Sequence, residues 1–197
     1  MTNDLLTALA GFALVSSITP GPNNLMLMAS GANYGFRRSI PHMLGIASGF
    51  VVMVCLVGVG LIGLFDAWPP AHTILTVVSV AYLLWLAWKI AHASAPRRGE
   101  GTGRPFTFLQ AALFQWVNPK AWLMLITVVA SYANPQQFVL SVAMIAVIFF
   151  LMGIPLISAW NIGGVALKGW LQQGQRLLRF NQAMAVLLLA SMAPMWM

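Results

Sequence analysis

Apolar residues run along this chain in long blocks, separated at intervals by short polar or proline-rich stretches. The blocks read as Leu5–Ala32, Ile40–Leu64, Ala71–Ala91, Phe106–Ala130, Phe138–Trp160 and Leu177–Trp196. Each is close to the roughly 20 residues a helix needs to cross a hydrocarbon core of about 30 Å. The punctuation fits: Gly35-Phe36-Arg37-Arg38 closes the first block, Asp66-Ala67-Trp68-Pro69-Pro70 parts the second from the third, and Asn134-Pro135-Gln136 parts the fourth from the fifth. The pattern predicts an all-α membrane protein of six transmembrane helices, a single integral membrane domain over residues 1–197.

Two blocks are interrupted. The first contains Ser17-Ile18-Thr19-Pro20-Gly21-Pro22-Asn23-Asn24. A proline has no N–H and clashes with the carbonyl four residues back, so Pro20 and Pro22 should free the carbonyls of Ser16 and Ile18. Broken backbone survives in hydrocarbon only where protein or a wet cavity covers it. Beyond the break, the N–H groups of Asn23, Asn24 and Leu25 should open a new helix with a partial positive charge. Free carbonyls can hold an ammonium and helix-start amides a carboxylate, which suits an amino-acid zwitterion; a kink that only helps packing is the plainer reading.

The fourth block repeats the feature at Gln115-Trp116-Val117-Asn118-Pro119-Lys120, where Pro119 should strip the carbonyl of Gln115. Both breaks lie about 20 Å into their blocks at 1.5 Å per residue. Three spans precede the second half, so it starts from the opposite face. The pattern predicts a 3+3 inverted-topology repeat, with halves of about 1–95 and 104–197 and broken helices one and four. On that reading the breaks sit at different depths, Pro20–Asn24 towards the cytoplasm and Asn118–Lys120 towards the outside, as two gates about an enclosed cavity. Candidate substrate-binding or gating residues are Pro20, Gly21, Pro22, Asn23, Asn24, Gln115, Asn118, Pro119 and Lys120. Coincidence of two prolines is the competing explanation.

Composition agrees with the blocks. Of 197 residues, 60% are hydrophobic and 7% charged, against about a quarter charged in soluble domains. The net charge of +7 has no solvated basic face to present to nucleic acid, and none is expected as a partner. The basic residues instead sort by loop: Arg37 and Arg38 after span one, Lys89, Arg97, Arg98 and Arg104 after span three, Lys168, Arg176 and Arg179 after span five. The positive-inside rule puts these loops in the cytoplasm and both termini outside. The start has no basic region ahead of Ala8-Leu9-Ala10, so that tripeptide is not expected to be a signal-peptide cleavage site. Trp68, Trp88, Trp160, Trp170 and Trp196 fall near span ends, at headgroup level, whereas Trp116 and Trp122 read as packing residues.

Lys120 is the one basic residue expected inside hydrocarbon, where an ammonium costs at least about 2.5 kcal/mol, so a role in the site competes with snorkelling to the surface. Asp4, Asp66 and Glu100 all fall outside the spans, leaving no mid-membrane carboxylate for a proton relay. His42, His72 and His92 lie at span ends and read as interfacial. Gly45-Ile46-Ala47-Ser48-Gly49 is a small-residue stripe that lets helices approach, either within the chain or in a homodimer. Pro155 should form a third break that contributes to the cavity, and Asn161-Ile162-Gly163-Gly164 a cytoplasmic-side turn. One cysteine, Cys55, excludes an internal disulfide, and there is no H-E-x-x-H helix; an enzyme, a metal site and a cofactor are not expected.

Thr19-Pro20-Gly21-Pro22-Asn23-Asn24, Gly35-Phe36-Arg37, Ala81-Tyr82-Leu83-Leu84-Trp85-Leu86 and Asn118-Pro119-Lys120-Ala121 together resemble the LysE/RhtB family of amino-acid exporters, over nearly the whole chain. Asn23-Asn24 and Trp85-Leu86-Ala87-Trp88-Lys89-Ile90-Ala91 are most similar to its cysteine/O-acetylserine exporter branch. The resemblance implies six helices and efflux of small amino acids from the bacterial cytoplasm across the inner membrane, driven by the proton motive force. Val80, Ala111 and Ala183 stand where such proteins often have glycine. The expected partners are an amino-acid substrate and the lipid bilayer. A passive pore for small polar solutes is the alternative. Reporter fusions at Gly99 and Asn134 should read from opposite sides of the membrane; the same side for both would overturn the six-span topology.

Overall fold

The computed structural model describes residues 3–58, 60, 67–68, 70–92, 104–171 and 173–191. Asp66, Arg97, Arg98, Gly99, Glu100 and Trp196 lie outside the described residues, as does the side chain of His72. Among the described residues every regular element is a helix: α1 (Asn3–Ile18), α2 (Pro22–Tyr34), α3 (Phe36–Gly58), α4 (Pro70–Ala91), α5 (Phe108–Phe114), α6 (Pro119–Tyr132), α7 (Phe138–Leu171) and α8 (Arg176–Ala190). Short 3-10 turns cover Gln115–Val117 and Pro135–Gln137.

The starts follow from local chemistry. Pro22 and Pro119 occupy the first turns of α2 and α6, where a missing N–H is no loss. Thr107 and Gln110 form a reciprocal capping box on α5, with bonds of 3.2 and 3.1 Å. Asn118 caps α6 by accepting from the amide of Lys120 at 3.1 Å.

Both expected breaks are present. The axes of α1 and α2 differ by 54°, and those of the α5 stretch and α6 by 71°. Among the described residues three helices are long and apolar enough to cross a membrane alone, and counting each bent pair as one span brings the number to five. The sixth block, Leu177–Trp196, is described only to Ser191; α8, with 15 residues, covers about 22 Å.

The breaks divide the molecule into two layers. In one, Leu9 and Ala13 of α1 pack with Met53 and Val57 of α3, Leu125 and Val128 of α6 and Ile145 of α7. In the other, Leu25 and Met26 of α2 pack with Leu83 and Leu86 of α4, Phe114 of α5 and Leu188 of α8. The far end of this second layer is basic. Ala32, Leu171 and Leu177 join the ends of α2 and α7 to the start of α8. Lys168, Arg176 and Arg179 belong to these helix ends, and Arg37 and Arg38 to the first turn of α3, which follows α2 directly after Gly35. Large apolar side chains such as Leu123, Val139, Leu151 and Val186 face outward, as a lipid-facing surface requires.

Two expectations are corrected. The helix α7 runs for 34 residues, about 51 Å, straight through Pro155 and through Asn161–Gly164. Pro155 lies inside the helix on an exposed face, away from the cavity, and forms no break. Gly164 is a packing residue: a Cβ there would strike the carbonyl oxygen of Met28, as one at Gly31 would strike that of Asn161. The buried Asn161 also donates to the carbonyl of Leu27 at 2.9 Å. A turn would have broken this backbone-to-backbone seam between α2 and α7.

The Gly45/Gly49 stripe is used within the chain. A Cβ at Gly45 would strike the carbonyl oxygen of Phe108, and one at Gly49 would lie 2.6 Å from Ala112 Cα, so α5 covers the stripe. Trp116 and Trp122 pack edge-to-face at 6.0 Å, with Trp122 Nε1 donating to Trp116 O at 2.8 Å. Replacing Gly31 by Ala should cost about 1–3 kcal/mol by forcing the seam apart, whereas Gly163→Ala, whose Cβ would meet only Met28 Cε at 3.7 Å, should be nearly neutral. Unfolding of both variants in detergent checks this.

Candidate functional site

At the first break the chain leaves α1 after Ile18 and enters α2 at Pro22, with Gly21 extended between them. Every carbonyl from Ser16 to Pro20 has a side-chain partner. Ser16 O accepts from Thr19 Oγ1 at 3.1 Å and Ser17 O from Asn24 Nδ2 at 2.7 Å. Ile18 O accepts from Trp160 Nε1 at 3.0 Å, and Thr19 O from Asn24 Nδ2 at 2.8 Å. Lys120 Nζ completes the set, donating to Thr19 O and Thr19 Oγ1 at 2.8 Å each and to Pro20 O at 3.2 Å. Three acceptors match the three hydrogens of an ammonium.

The expected free carbonyls are therefore corrected. Those of Ser16 and Ile18 are paired, and Gln115 O accepts from the amide of Asn118 at 3.2 Å because the chain tightens into a 3-10 turn ahead of Pro119. The amide of Leu25 is also occupied, donating to Gly21 O at 3.0 Å. The ammonium held by the broken first helix is the protein's own. Electrostatics explains the direction of Lys120: its own helix presents a positive N-terminus, whereas α1 ends in partially negative carbonyls. Gly21 leaves room for the stem, since a Cβ there would lie 2.6 Å from Lys120 Cδ.

The second link between the breaks is an amide pair. Asn23 Nδ2 donates to Gln115 Oε1 at 2.8 Å, and Gln115 Nε2 returns a bond of 3.2 Å to Asn23 Oδ1. Gln115 is fully buried and also donates to Ala111 O at 2.8 Å. The two breaks thus touch each other; they do not stand apart as an inner and an outer gate with the cavity between them.

A cavity with about 60 Å³ of room for water centres lies against both breaks, space for a few waters at about 10–15 Å³ each. Its polar wall is Ser17, Asn23, Asn24, Gln115, Asn118 and Lys120, with Gly21 beside them. Ile46, Phe50 and Phe149 form the apolar wall opposite. Pro20, Pro22 and Pro119 shape the backbone without lining it. The sequence reading missed Thr19 and the walls from α3 and α7, and it assigned Trp160 to the headgroup level, where the structure has its indole N–H on a break carbonyl. His42 is corrected as well: it is 2% exposed, inside the helix packing. Among the described residues no cluster of metal-ligating side chains occurs.

Comparison with known proteins identifies the family. The LysE type translocator family matches residues 14–193. The chain belongs to the LysE translocator family. Proteins named cysteine/O-acetylserine efflux protein, from Escherichia coli K12 and from Shigella sonnei, are each 32% identical to this LysE-family chain over 192 residues, 95% of both lengths. One of the same name from Escherichia coli O139:H28 is 32% identical over 193 residues, 96% of both. No solved structure matches. The family is one of translocators, and the apolar helices described above are compatible with membrane spans.

The amide pair gives a direct test of the link between the breaks. Asn23→Ala and Gln115→Ala should each cost about 1–3 kcal/mol by leaving the partner unpaired. The double variant should cost less than the sum by about 0.5 kcal/mol or more. A double-mutant cycle of unfolding in detergent measures this.

Proposed function

We propose that this LysE-family translocator is a secondary transporter exporting small, mostly neutral amino acids or derivatives from the bacterial cytoplasm across the inner membrane. Cysteine and O-acetylserine, or substrates of the threonine and homoserine kind, are the proposed cargo, and the proton motive force the proposed drive. The names of the relatives support the substrate class. The proposed frame is six spans in a 3+3 inverted repeat, with both termini outside. Two breaks bonded to each other through Asn23 and Gln115 and through Lys120 and Thr19, with α1 and α6 in one layer and α2 and α5 in the other, support it, as does the clustering of basic residues at one end.

The observation that carries the reading is the Lys120 ammonium, bound by Thr19 and Pro20 on the cavity wall. An amino acid brings an ammonium of the same chemistry and a carboxylate. Its ammonium can take over the acceptors of the broken helix, and the Lys120 it displaces can turn to the carboxylate. The exchange keeps every buried charge paired, so it avoids the several kcal/mol that a bare ion costs in a low-dielectric site. It also unfastens α6 from the α1–α2 break, the step that rocking of one half against the other requires. A ligand can shift such an equilibrium only by its differential affinity for the two states, and the exchange supplies that difference.

A passive pore is the second reading. Against it, Leu27, Met43, Ile46, Ala111 and Ile157 form a buried apolar cluster beside the cavity, which a standing water path would have to avoid. Lys120→Ala should abolish export of O-acetylserine from loaded cells while leaving the protein in the membrane. Lys120→Arg should restore it only in part, because a planar fork does not fit a cage built for a compact ammonium. Export by the wild type should collapse with an uncoupler; leakage that ignores the uncoupler would favour the pore, and near-normal export by Lys120→Ala would reduce the residue to snorkelling.

A further inference from the structure

A second cavity, of about 390 Å³, opens at the basic end of the molecule. Pockets that hold small molecules start at about 300 Å³, so this one has room that the 60 Å³ cavity at the breaks lacks. His42 of α3, Asn33 of α2, Asn181 of α8, Lys89 of α4, Arg104 and Phe106 are on its wall.

His42 is the unusual member. It is 2% exposed, and neither ring nitrogen has a hydrogen-bond partner, although its ring packs on that of Phe106 at 5.3 Å between centroids. A buried polar group left unpaired costs about 1–3 kcal/mol, and such a group in a native fold calls for a ligand, a water or a function. Among the described residues, the titratable groups on the cavity wall besides His42 are Lys89, Arg104, Tyr34 and His92, with no carboxylate. Lys89 reaches over the Trp85 ring at 5.0 Å, and Arg104 is exposed. Asn33 and Asn181 are joined by a buried bond of 3.1 Å, which fixes their amides on the opposite wall.

The two cavities are lined from the same two helices. Asn23 and Asn24 face the first and Asn33 the second, both along α2; Ile46 faces the first and His42 the second, both along α3. Ten residues of helix separate Asn23 from Asn33, about 15 Å. The buried Leu27 and Met43 lie between these positions on the same two helices.

We propose that the second cavity is a receiving site for an amino-acid zwitterion, distinct from the site at the breaks. Lys89 and Arg104 draw in its carboxylate, and the imidazole of His42, which offers one donor and one acceptor when neutral, fixes the molecule at the inner end. The proposal rests on the exporter reading for its direction: the basic end faces the cytoplasm, and the cargo waits there until the Leu27–Met43 barrier opens towards the breaks.

The chain has three histidines, so ring-nitrogen NMR of histidine-labelled protein can watch this site alone. The full chain is placed in phosphatidylcholine nanodiscs, free of anionic lipid, and titrated with O-acetyl-L-serine to its solubility limit. The His42 signals, identified by their loss in His42→Gln, should shift saturably, and Arg104→Gln should raise the midpoint about tenfold or more. Because Arg104 is exposed, that variant separates ligand contact from folding. His42 signals that stay still, or a midpoint unchanged by Arg104→Gln, would overturn the receiving site. Export measured in parallel keeps the two claims apart: export with His42 unmoved sinks only this site, and saturable His42 shifts without export keep the site and sink the exporter.

Discussion

A backbone carbonyl inside hydrocarbon has to be paired, and the structure is organised around the five carbonyls from Ser16 to Pro20. Pro20 and Pro22 deny those of Ser16 and Ile18 their helical donors, and the break leaves the rest to side chains. Each left without any partner would cost several kcal/mol. The fold recruits side chains from three separate parts of the chain: Asn24 from the helix that follows, Lys120 from the opposite break and Trp160 from α7. That requirement ties α1, α2, α6 and α7 to one point. It also makes the point adjustable, because a side-chain donor can leave and be replaced, whereas the amide of a continuous helix cannot.

Adjustability needs a rigid surround, and glycine provides it. Where α2 meets α7 and where α3 meets α5, backbones touch through Gly31, Gly164, Gly45 and Gly49 with no side chain between. In a bilayer, helices gain nothing from hiding apolar surface from lipid, so close packing of this kind is a main source of cohesion. The pairings join α2 to α7 and α3 to α5, while α1 and α6 meet the rest through larger side chains such as Leu9, Met53 and Leu125. The α2–α7 and α3–α5 pairs are therefore packed backbone to backbone, whereas the ends at Ile18 and Asn118 are held by side chains.

Much of this was legible because prolines and charges in an apolar block are expensive enough to be informative. Pro20, Pro22 and Pro119 located both bends, and Lys120 stood out as the one cation with no loop to occupy. What the sequence could not carry was the partner of each freed group. Nothing in a linear pattern says that Trp160, 142 residues away, serves Ile18 O, or that the two breaks bond directly. The errors share one cause. Pro155 and Gly163-Gly164 carry the same local signals as Pro20 and Gly21, yet one long helix runs through them, held at Gly164 by the backbone of α2. Local propensity is a weak prior that tertiary packing overrides, and His42, placed at an interface by its position near a span end, was missed for the same reason.

Under the proposed exchange, the charge of Lys120 would explain why a break rather than a plain cavity serves a zwitterion. A carboxylate on the wall would hold the cargo's ammonium as a fixed ion pair, whose separation inside a low-dielectric site is costly and would slow release. Carbonyl dipoles bind an ammonium without a net charge of their own, so the site can pass from one ammonium to another through intermediates that never strand an anion. The same economy sets a limit. When the site empties, some cation has to return to Thr19 and Pro20, or their carbonyls face the cavity with only water for partners. In the proposed exchange a tethered ammonium returns at an effective concentration that free cargo cannot match, which would let Lys120 reset the empty carrier. A channel has no need of such a reset, which is why the lysine argues for a carrier cycle more strongly than the breaks do alone.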